Sequence, residues 1–179
     1  MILTEIAPID EILGAHRAGI GKDFVGYRNH VYRVANLSAA LTANVRDTER
    51  LEKIAIAAAF HDLGIWTDRT FDYLAPSVRL AADYLNGSGR SGWTAGVSEM
   101  ILQHHKVTPF RGGAGLVEPF RKADWIDVTW SVVSFGLPGA FVRELYAEWP
   151  DAGFHLNLVR LEIQHLGKHP LNPLPMFRW

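Results

Sequence analysis

Apolar side chains recur at helical spacing along nearly the whole chain, and no segment shows a convincing two-residue alternation of apolar and polar residues. Between about Tyr27 and Val45, one stripe carries Val31, Val34, Leu37, Ala40 and Leu41. A second helix is predicted to run from an N-cap at Asp47 or Thr48 to the doublet His61-Asp62. This periodicity predicts an all-α fold, with any strand confined to short pieces.

Further helices are predicted downstream, separated by glycine- and proline-containing connections. They run from an N-cap at Ser77 to Leu85, from Trp93 to about His105, from about Val117 to Val133, and then to about Trp149 and Gly167. The final residues, HPLNPLPMFRW, are proline-rich and are predicted to lie extended on the surface. A chain of 179 residues suits one domain and is long enough to bury a single core.

The chain contains no cysteine, which excludes disulfides, thiolate metal sites and cysteine nucleophiles. Histidines and carboxylates are then the plausible protein ligands for a metal ion. Eighteen basic and 19 acidic side chains give a formal net charge of -1, and no basic run is present. The charge pattern therefore does not indicate a nucleic-acid polymer or a membrane surface as a partner.

The first residues of the chain do not have the pattern of a signal peptide, because Glu5, Asp10 and Glu11 replace the expected basic segment. No apolar run approaches the ~20 residues needed to span a bilayer. We therefore expect a cytoplasmic protein whose partner is a small molecule. The sequence leaves the oligomeric state open, and a homo-oligomer is compatible with it.

Histidine and aspartate occur at positions that the apolar pattern assigns to buried helix faces. His30 lies on the apolar stripe of its helix, where a lone histidine is more often a hydrogen-bonded core residue than a ligand. The doublet His61-Asp62 favours a ligand role, because it ends an alanine-rich helix, KIAIAAAFHD, that is otherwise suited to burial. A buried carboxylate costs several kcal/mol unless a cation or hydrogen bonds compensate it. A metal ion is one such partner.

Two geometric conditions follow for this site. Neighbouring side chains on a regular helix point about 100° apart, so His61 and Asp62 can bind one ion only where the helix ends. Gly64 lies just past the doublet, where a left-handed residue commonly ends a helix. A further carboxylate is also needed: Asp124 lies in an inward-facing setting, and Asp127 is its rival, although a surface aspartate suits Asp127 better.

In chain order, His30, His61-Asp62 and Asp124 form the pattern H…HD…D, which resembles the HD-domain superfamily of metal-dependent phosphohydrolases. The strings NHVYRVANLS, AIAAAFHDLG and FRKADWIDV are similar to those of the family, and the resemblance covers roughly residues 26–133. It implies one HD-type domain over residues 1–179, with C-terminal helices and tail at about 138–179. It also implies a helical bundle around one divalent metal, held by His30, His61, Asp62 and Asp124, since the Ala-Asp context favours Asp124 over Asp127.

The chemistry implied by the resemblance is hydrolysis of a phosphoester of a small molecule or nucleotide, with Asp62 at the catalytic centre and a metal-activated water as nucleophile. His104 and His105 correspond to a position where histidines of the family bind a second metal or substrate. Because no histidine lies between His61 and His104, we expect one metal. We then assign His104 or His105 to substrate contact or to acid–base chemistry. Alternatively, the pair has only a structural role at the C-terminal end of a helix, where it interacts with the helix dipole.

Other candidate catalytic residues are less specific. Some family members have a glutamate four residues after the doublet, but Trp66 stands there, which leaves Asp68 or Asp72 as an acid or base. Each is more often a loop or cap residue. Arg33 is the best candidate for phosphate oxygens, because it shares a helix face with His30. Histidine and carboxylate ligands are compatible with Mn, Fe, Co, Ni, Mg or Zn.

Two further functions are compatible with the same residues. Metal-bound hydroxide can add to a cyano carbon, so a hydratase or lyase of the cyanamide-hydratase type is one alternative, and the few phosphate-binding candidates are compatible with it. The other is a non-catalytic, ligand-sensing HD domain, against which the intact ligand set argues. The aromatic residues near these segments could stack a nucleobase but are more often core: Trp66, Phe71, Tyr73, Trp125 and Trp130.

Overall fold

A computed structural model of the chain describes residues 2–42, 47–112, 115–168, 170–171 and 175–176. Within these ranges the chain forms nine α-helices and two short 3-10 turns, with no strand. The helices, α1 to α9, are Ala7–Ile20, Phe24–Leu41, Thr48–Phe60, Gly64–Thr67, Leu74–Gly87, Thr94–Gln103, Val117–Val128, Gly139–Glu148 and Phe154–Lys168. The prediction of an all-α fold is confirmed.

The alanine-rich helix α3 lies at the centre of the bundle. Its last seven residues, Ile54 to Phe60, are all buried, and it packs against α1, α2, α5 and α6. Small alanine side chains permit this because they let helix axes approach closely. Helix α2 packs most extensively against α7, and α6 contacts both α3 and α7. The ends of α3 and α6 are thereby brought next to the middle of α2 and α7.

Several helix ends differ from the sequence-based expectation. The predicted helices omit α1, although Ile9, Ile12 and Leu13 are buried at helical spacing and Pro8 lies in its first turn. Helix α7 ends at Val128 rather than Val133, because Trp130 and Ser131 adopt the left-handed backbone conformation, with φ of 49° and 63°. Helix α2 ends at Leu41 rather than at about Val45, because the backbone of Thr42 is extended, with φ of -93° and ψ of 126°.

The two predicted N-caps have different outcomes. Asp47 caps α3, because its carboxylate accepts a hydrogen bond of 3.0 Å from the backbone N–H of Glu49. Ser77 is not a cap, because α5 already begins at Leu74 and Ser77 is buried within it. Most of the predicted extended tail lies outside the described residues. Of its described part, Met176 is buried against Ile65, Tyr73 and Leu74.

Gly64 serves close packing rather than a left-handed helix end, which corrects the prediction made for it. It begins α4 and is not among the glycines with positive φ. A Cβ atom at this position would lie 2.7 Å from the carbonyl oxygen of Tyr73 and 2.9 Å from Cβ of Pro76. The backbone N–H of Gly64 also donates to Oγ of Ser77 at 3.0 Å. The missing side chain therefore lets α5 approach the turn that carries His61.

We expect Gly64→Ala to lower the free energy of unfolding by about 1–3 kcal/mol, because the added methyl group collides with backbone that cannot move alone. Gly14→Ala is the matched control: position 14 lies within α1, and a Cβ there meets nothing within 4 Å. That substitution should raise the free energy of unfolding by up to about 1 kcal/mol. Denaturant unfolding of both variants checks this, and equal changes would contradict the packing role of Gly64.

No helix in the described part of the chain has both the length and the apolar character required for crossing a membrane.

Candidate metal centre

The structure brings all four predicted metal ligands together at one buried point. His30 comes from the middle of α2, Asp124 from α7, and His61 and Asp62 from the turn after α3. The Nε2 atoms of His30 and His61 lie 2.9 Å apart. Oδ1 of Asp124 lies 3.8 Å from Nε2 of His30 and 3.7 Å from Nε2 of His61. These distances allow His30, His61 and Asp124 to bind a single ion.

The end of α3 allows both residues of the doublet to face the same point. Helix α3 ends at Phe60, and residues 61–63 form a turn. Oδ2 of Asp62 consequently lies 3.4 Å from Nε2 of His61 and 3.5 Å from Nε2 of His30. The condition derived from the helical angle of about 100° per residue is therefore met by a helix end at the doublet.

Three histidines of the cluster expose their Nε2 atoms to its interior. In each, Nδ1 lies close to an oxygen acceptor: Oδ2 of Asp127 for His30 (2.7 Å), the carbonyl of Ala58 for His61 (2.7 Å), and the carbonyl of Ile101 for His104 (2.6 Å). Each Nδ1–H donates outward, which in the neutral imidazole leaves the lone pair on Nε2. When all three imidazoles are neutral, as metal binding requires, the interior of the cluster is lined by acceptors.

The carboxylates add further acceptors. Oδ1 of Asp62, both carboxylate oxygens of Asp124 and Nε2 of His104 are buried and make no hydrogen bond within the described structure. Buried polar atoms without partners are destabilising, and most proteins avoid them. A cation bound among these atoms would compensate the acceptors that it contacts.

The donor set is larger than the four predicted ligands. Nε2 of His104 lies 3.4 Å from Oδ1 of Asp62, and Nδ1 of His105 lies 3.4 Å from Oδ2 of Asp124. Three overlapping groups could each hold an ion: His30, His61 and Asp124; His61, Asp62 and His104; His104, His105 and Asp124. The two neighbouring histidines also have different surroundings in the structure. His104 is fully buried and faces the carboxylates, which suits a metal ligand rather than the predicted substrate contact, whereas His105 reaches a cavity.

The electrostatics of the cluster favour a cation. Burial alone lowers the pKa of His30, but hydrogen bonds and the charges of Asp127 and Asp62 reverse this and raise it to about 9. Burial also opposes ionisation of Asp62 and Asp124, yet the surrounding histidines hold the pKa of both carboxyls below the ordinary value. Burial and the neighbouring His104 lower the pKa of His105 to about 3, so it is neutral.

Asp127 contacts the outward-facing Nδ1 of His30 and does not face the interior of the cluster. It is fully buried, which corrects the prediction of a surface aspartate. Its Oδ2 lies 2.7 Å from Nδ1 of His30, and its carboxylate pairs with Nε and Nη2 of Arg33 at 2.5 and 2.9 Å. The hydroxyl of Tyr146 donates to Oδ1 at 2.8 Å. Such an outer partner fixes the ring orientation and tautomer of a histidine ligand.

Arg33 was predicted to contact substrate phosphate, but in the structure it binds groups of the protein itself. It is fully buried, and besides Asp127 its Nη1 donates to the carbonyls of Trp149 and Pro150 at 3.0 and 3.2 Å. The guanidinium therefore neutralises Asp127 and ties α2 to the end of α8. The helical spacing correctly placed Arg33 on the face of His30, but the partner on that face is a carboxylate of this chain.

Asp68 and Asp72, the predicted alternatives for an acid or base, lie on the surface. The Asp68 carboxylate accepts from Nη2 of Arg79 at 2.8 and 3.1 Å and from Oγ1 of Thr67, and these hydrogen bonds lower its pKa. Asp72 is exposed, and neither aspartate is part of the buried donor groups. Tyr73 is a polar member of the site that sequence reasoning did not find. Its hydroxyl lies 2.7 Å from Nε2 of His105, whereas the sequence indicated only an aromatic residue at this position.

A cavity of about 280 Å³ opens beside the cluster, with Asp62, His105 and Tyr73 in its wall. Four of the five aromatic residues singled out in the sequence also line it: Phe71, Tyr73, Trp125 and Trp130. Trp66 does not; its ring packs on Tyr27 with centroids 4.5 Å apart, and its Nε1–H donates to Asp23. The cavity therefore adjoins the candidate metal centre.

Comparisons with known proteins find no matching family model, no matching curated protein and no matching solved structure. The fold and the site together define an all-helical protein with buried histidine and aspartate groups that can hold a metal ion. Any more specific function has to be argued from the residues of the site.

Proposed function

We propose that this protein is a metal-dependent hydrolase of the HD type, with one divalent ion bound by His30, His61, Asp62 and Asp124. One observation carries the proposal: the Nε2 atoms and carboxylate oxygens of the cluster converge as acceptors, several of them buried without a hydrogen-bond partner. Such a set suits a cation, and its mixture of imidazole and carboxylate is compatible with Mn, Fe, Co, Ni, Mg or Zn. When bound, the ion would supply a water molecule of lowered pKa as nucleophile.

Tyr73 and His105 are the groups best placed to exchange a proton with a substrate in the cavity. Burial and the charge of Asp62 raise the pKa of Tyr73 well above its ordinary value, so its hydroxyl remains protonated and donates. His105 is neutral, and its Nε2 accepts from that hydroxyl at 2.7 Å. A substrate atom that displaces this hydrogen bond gains both a donor and an acceptor.

Two electrophilic centres are candidates for attack. The resemblance to HD-domain enzymes favours the phosphorus of a small phosphoester or nucleotide. The cavity favours a second candidate, hydration of a cyano carbon, because its described lining includes the carboxylates of Asp62 and Glu162 but neither lysine nor arginine. A phosphate group would have to be neutralised there by the ion alone.

The test combines metal analysis of the purified protein with an activity panel of nucleotides, phosphomonoesters, phosphodiesters and cyanamide, each assayed after loading with the six candidate metals. We expect about one equivalent of divalent ion and metal-dependent turnover of one class. Turnover of cyanamide alone would select the second candidate. Metal binding without turnover of any class would contradict a hydrolase and favour a ligand-sensing domain.

Metal affinity should fall as the pH falls. The pKa of His30 is raised from 6.5 to about 9 in the metal-free protein, so a proton occupies the cluster below that pH and must leave when the ion binds. The proton stabilises the metal-free state at low pH, and this stabilisation is lost as the pH rises through about 9. The apparent dissociation constant should therefore rise about tenfold for each pH unit below that value.

Titration calorimetry in two buffers of different ionisation enthalpy measures the protons released on metal binding. About one proton per ion near neutral pH is the expected value. Binding that is independent of both buffer and pH would show that His30 does not lose a proton to the metal.

A further inference from the structure

The cavity beside the metal centre has a polar inner end and an apolar wall. Asp62, His105 and Tyr73 form the inner end, next to the candidate ligands. The wall is built largely from aromatic and aliphatic side chains of α7 and the turn after it, of α9, and of the segment after α4, including Phe71, Trp125, Val128, Trp130, Leu158 and Val159. A molecule that enters the cavity therefore contacts polar groups at its inner end and apolar side chains along its wall.

Most polar groups along the wall are already bonded within the protein. The Thr129 hydroxyl donates to the carbonyl of Trp125 at 2.7 Å, and the indole N–H of Trp125 donates to the carbonyl of Lys106 at 3.2 Å. His155 is engaged at both ring nitrogens, by the Asp151 carboxylate and, at 2.9 Å, by the carbonyl of Asp127. These side chains consequently present carbon surfaces to a ligand.

The aromatic surfaces of the wall are held in place. The ring of Trp130 stacks on His155, with centroids 4.1 Å apart and an interplanar angle of 24°. Trp125 is held by its hydrogen bond to Lys106. Rigid aromatic faces favour flat, apolar ligands, because burial of apolar surface stabilises binding and little side-chain entropy is lost.

We infer that this cavity binds the aromatic or similarly flat, apolar part of a small-molecule substrate, whose reactive group reaches Asp62 and His105. The inference rests on the proposed function, and it names the substrate class for that site. The volume of about 280 Å³ lies at the lower end of the range for ligand pockets, so the substrate is a small molecule rather than a polymer.

The first test compares matched ligand pairs on the metal-loaded protein by ligand-observed NMR titration: phenyl phosphate with methyl phosphate, and benzamide with acetamide. In each pair the head group is the same and only the ring differs. We expect the ring to lower the dissociation constant at least about tenfold in both pairs, because it is buried against the aromatic wall. A difference below about twofold in both pairs would overturn the inference.

The second test fills the cavity. Val128→Trp should remove the advantage of the ring while leaving the metal stoichiometry unchanged, and Val159→Trp is a second filling variant at a more exposed position. Val132→Trp is the matched control, because Val132 is 86% exposed and does not line the cavity. Retention of the full ring advantage in both filling variants would also overturn the inference.

The two proposals can fail separately. A ring advantage without turnover of any panel substrate would overturn the hydrolase and support the apolar cavity. Metal-dependent turnover of a panel substrate, together with equal affinities within both ligand pairs, would support the hydrolase and overturn the apolar cavity.

Discussion

Asp62→Ala is expected to abolish metal binding and, with it, hydrolytic activity, while the chain remains folded. Oδ2 of Asp62 lies within 3.5 Å of the Nε2 atoms of both His30 and His61, and its Oδ1 has no hydrogen-bond partner in the described structure. Loss of one charged ligand from the proposed four-ligand site should weaken binding at least about 100-fold. The stability of the metal-free protein should change little, because losing the attraction to protonated His30 is opposed by removing a buried charge.

Metal content after gel filtration, together with the circular dichroism melting temperature, measures both parts of this expectation. Asp68→Ala is the matched control, since Asp68 is a surface aspartate paired with Arg79. It should retain full metal content and full activity. An Asp62→Ala protein that kept its metal and turnover would reduce Asp62 to a helix-end residue.

Asp127→Asn is expected to lower the free energy of unfolding by about 3–5 kcal/mol, the largest stability effect we predict. The Asp127 carboxylate is the one anionic partner of the fully buried Arg33 among the described hydrogen bonds and ion pairs, and it also holds Nδ1 of His30. An asparagine keeps the shape but leaves the guanidinium charge uncompensated. Metal affinity should fall about 10–100-fold, because the orientation of His30 is less well fixed.

Asp124→Asn should show the opposite pattern, with severe loss of metal and a small change in stability. Both carboxylate oxygens of Asp124 are buried and lack hydrogen-bond partners in the described structure, so removing their charge relieves a burial cost that offsets the lost attraction to the neighbouring histidines. Urea unfolding and metal stoichiometry of the two variants, measured side by side, separate the roles. Loss of metal in Asp127→Asn alone would reverse the assignment.

A double variant tests the cause of the instability. If the buried charge of Arg33 is responsible, adding Arg33→Met to Asp127→Asn should recover part of the lost stability, although the carbonyl of Trp149 then loses its donor and that of Pro150 keeps only Asn29. A double variant that is less stable than Asp127→Asn would show that the hydrogen bonds of Arg33 matter more than its charge.

The helical class could be predicted from apolar spacing, and the grouping of His30, His61, Asp62 and Asp124 from the resemblance of their order in the sequence to the HD-domain superfamily. Helical spacing of apolar residues is set within a few turns of chain, and it assigns the faces of His30 and Asp124 to the interior, where both are buried. The same signal was present in α1, where Ile9, Ile12 and Leu13 are buried.

The tertiary structure alone decided which partner each polar residue meets. Arg33 lies on the predicted face of α2, but only the packing of α7 against α2 shows that Asp127 lies opposite it. The end of α6 at Gln103 directs His104 to the carboxylates and His105 to the cavity, although the two are neighbours in sequence. Periodicity specifies a face of one helix, whereas a contact depends on the relative position of two helices, which packing over the whole core determines.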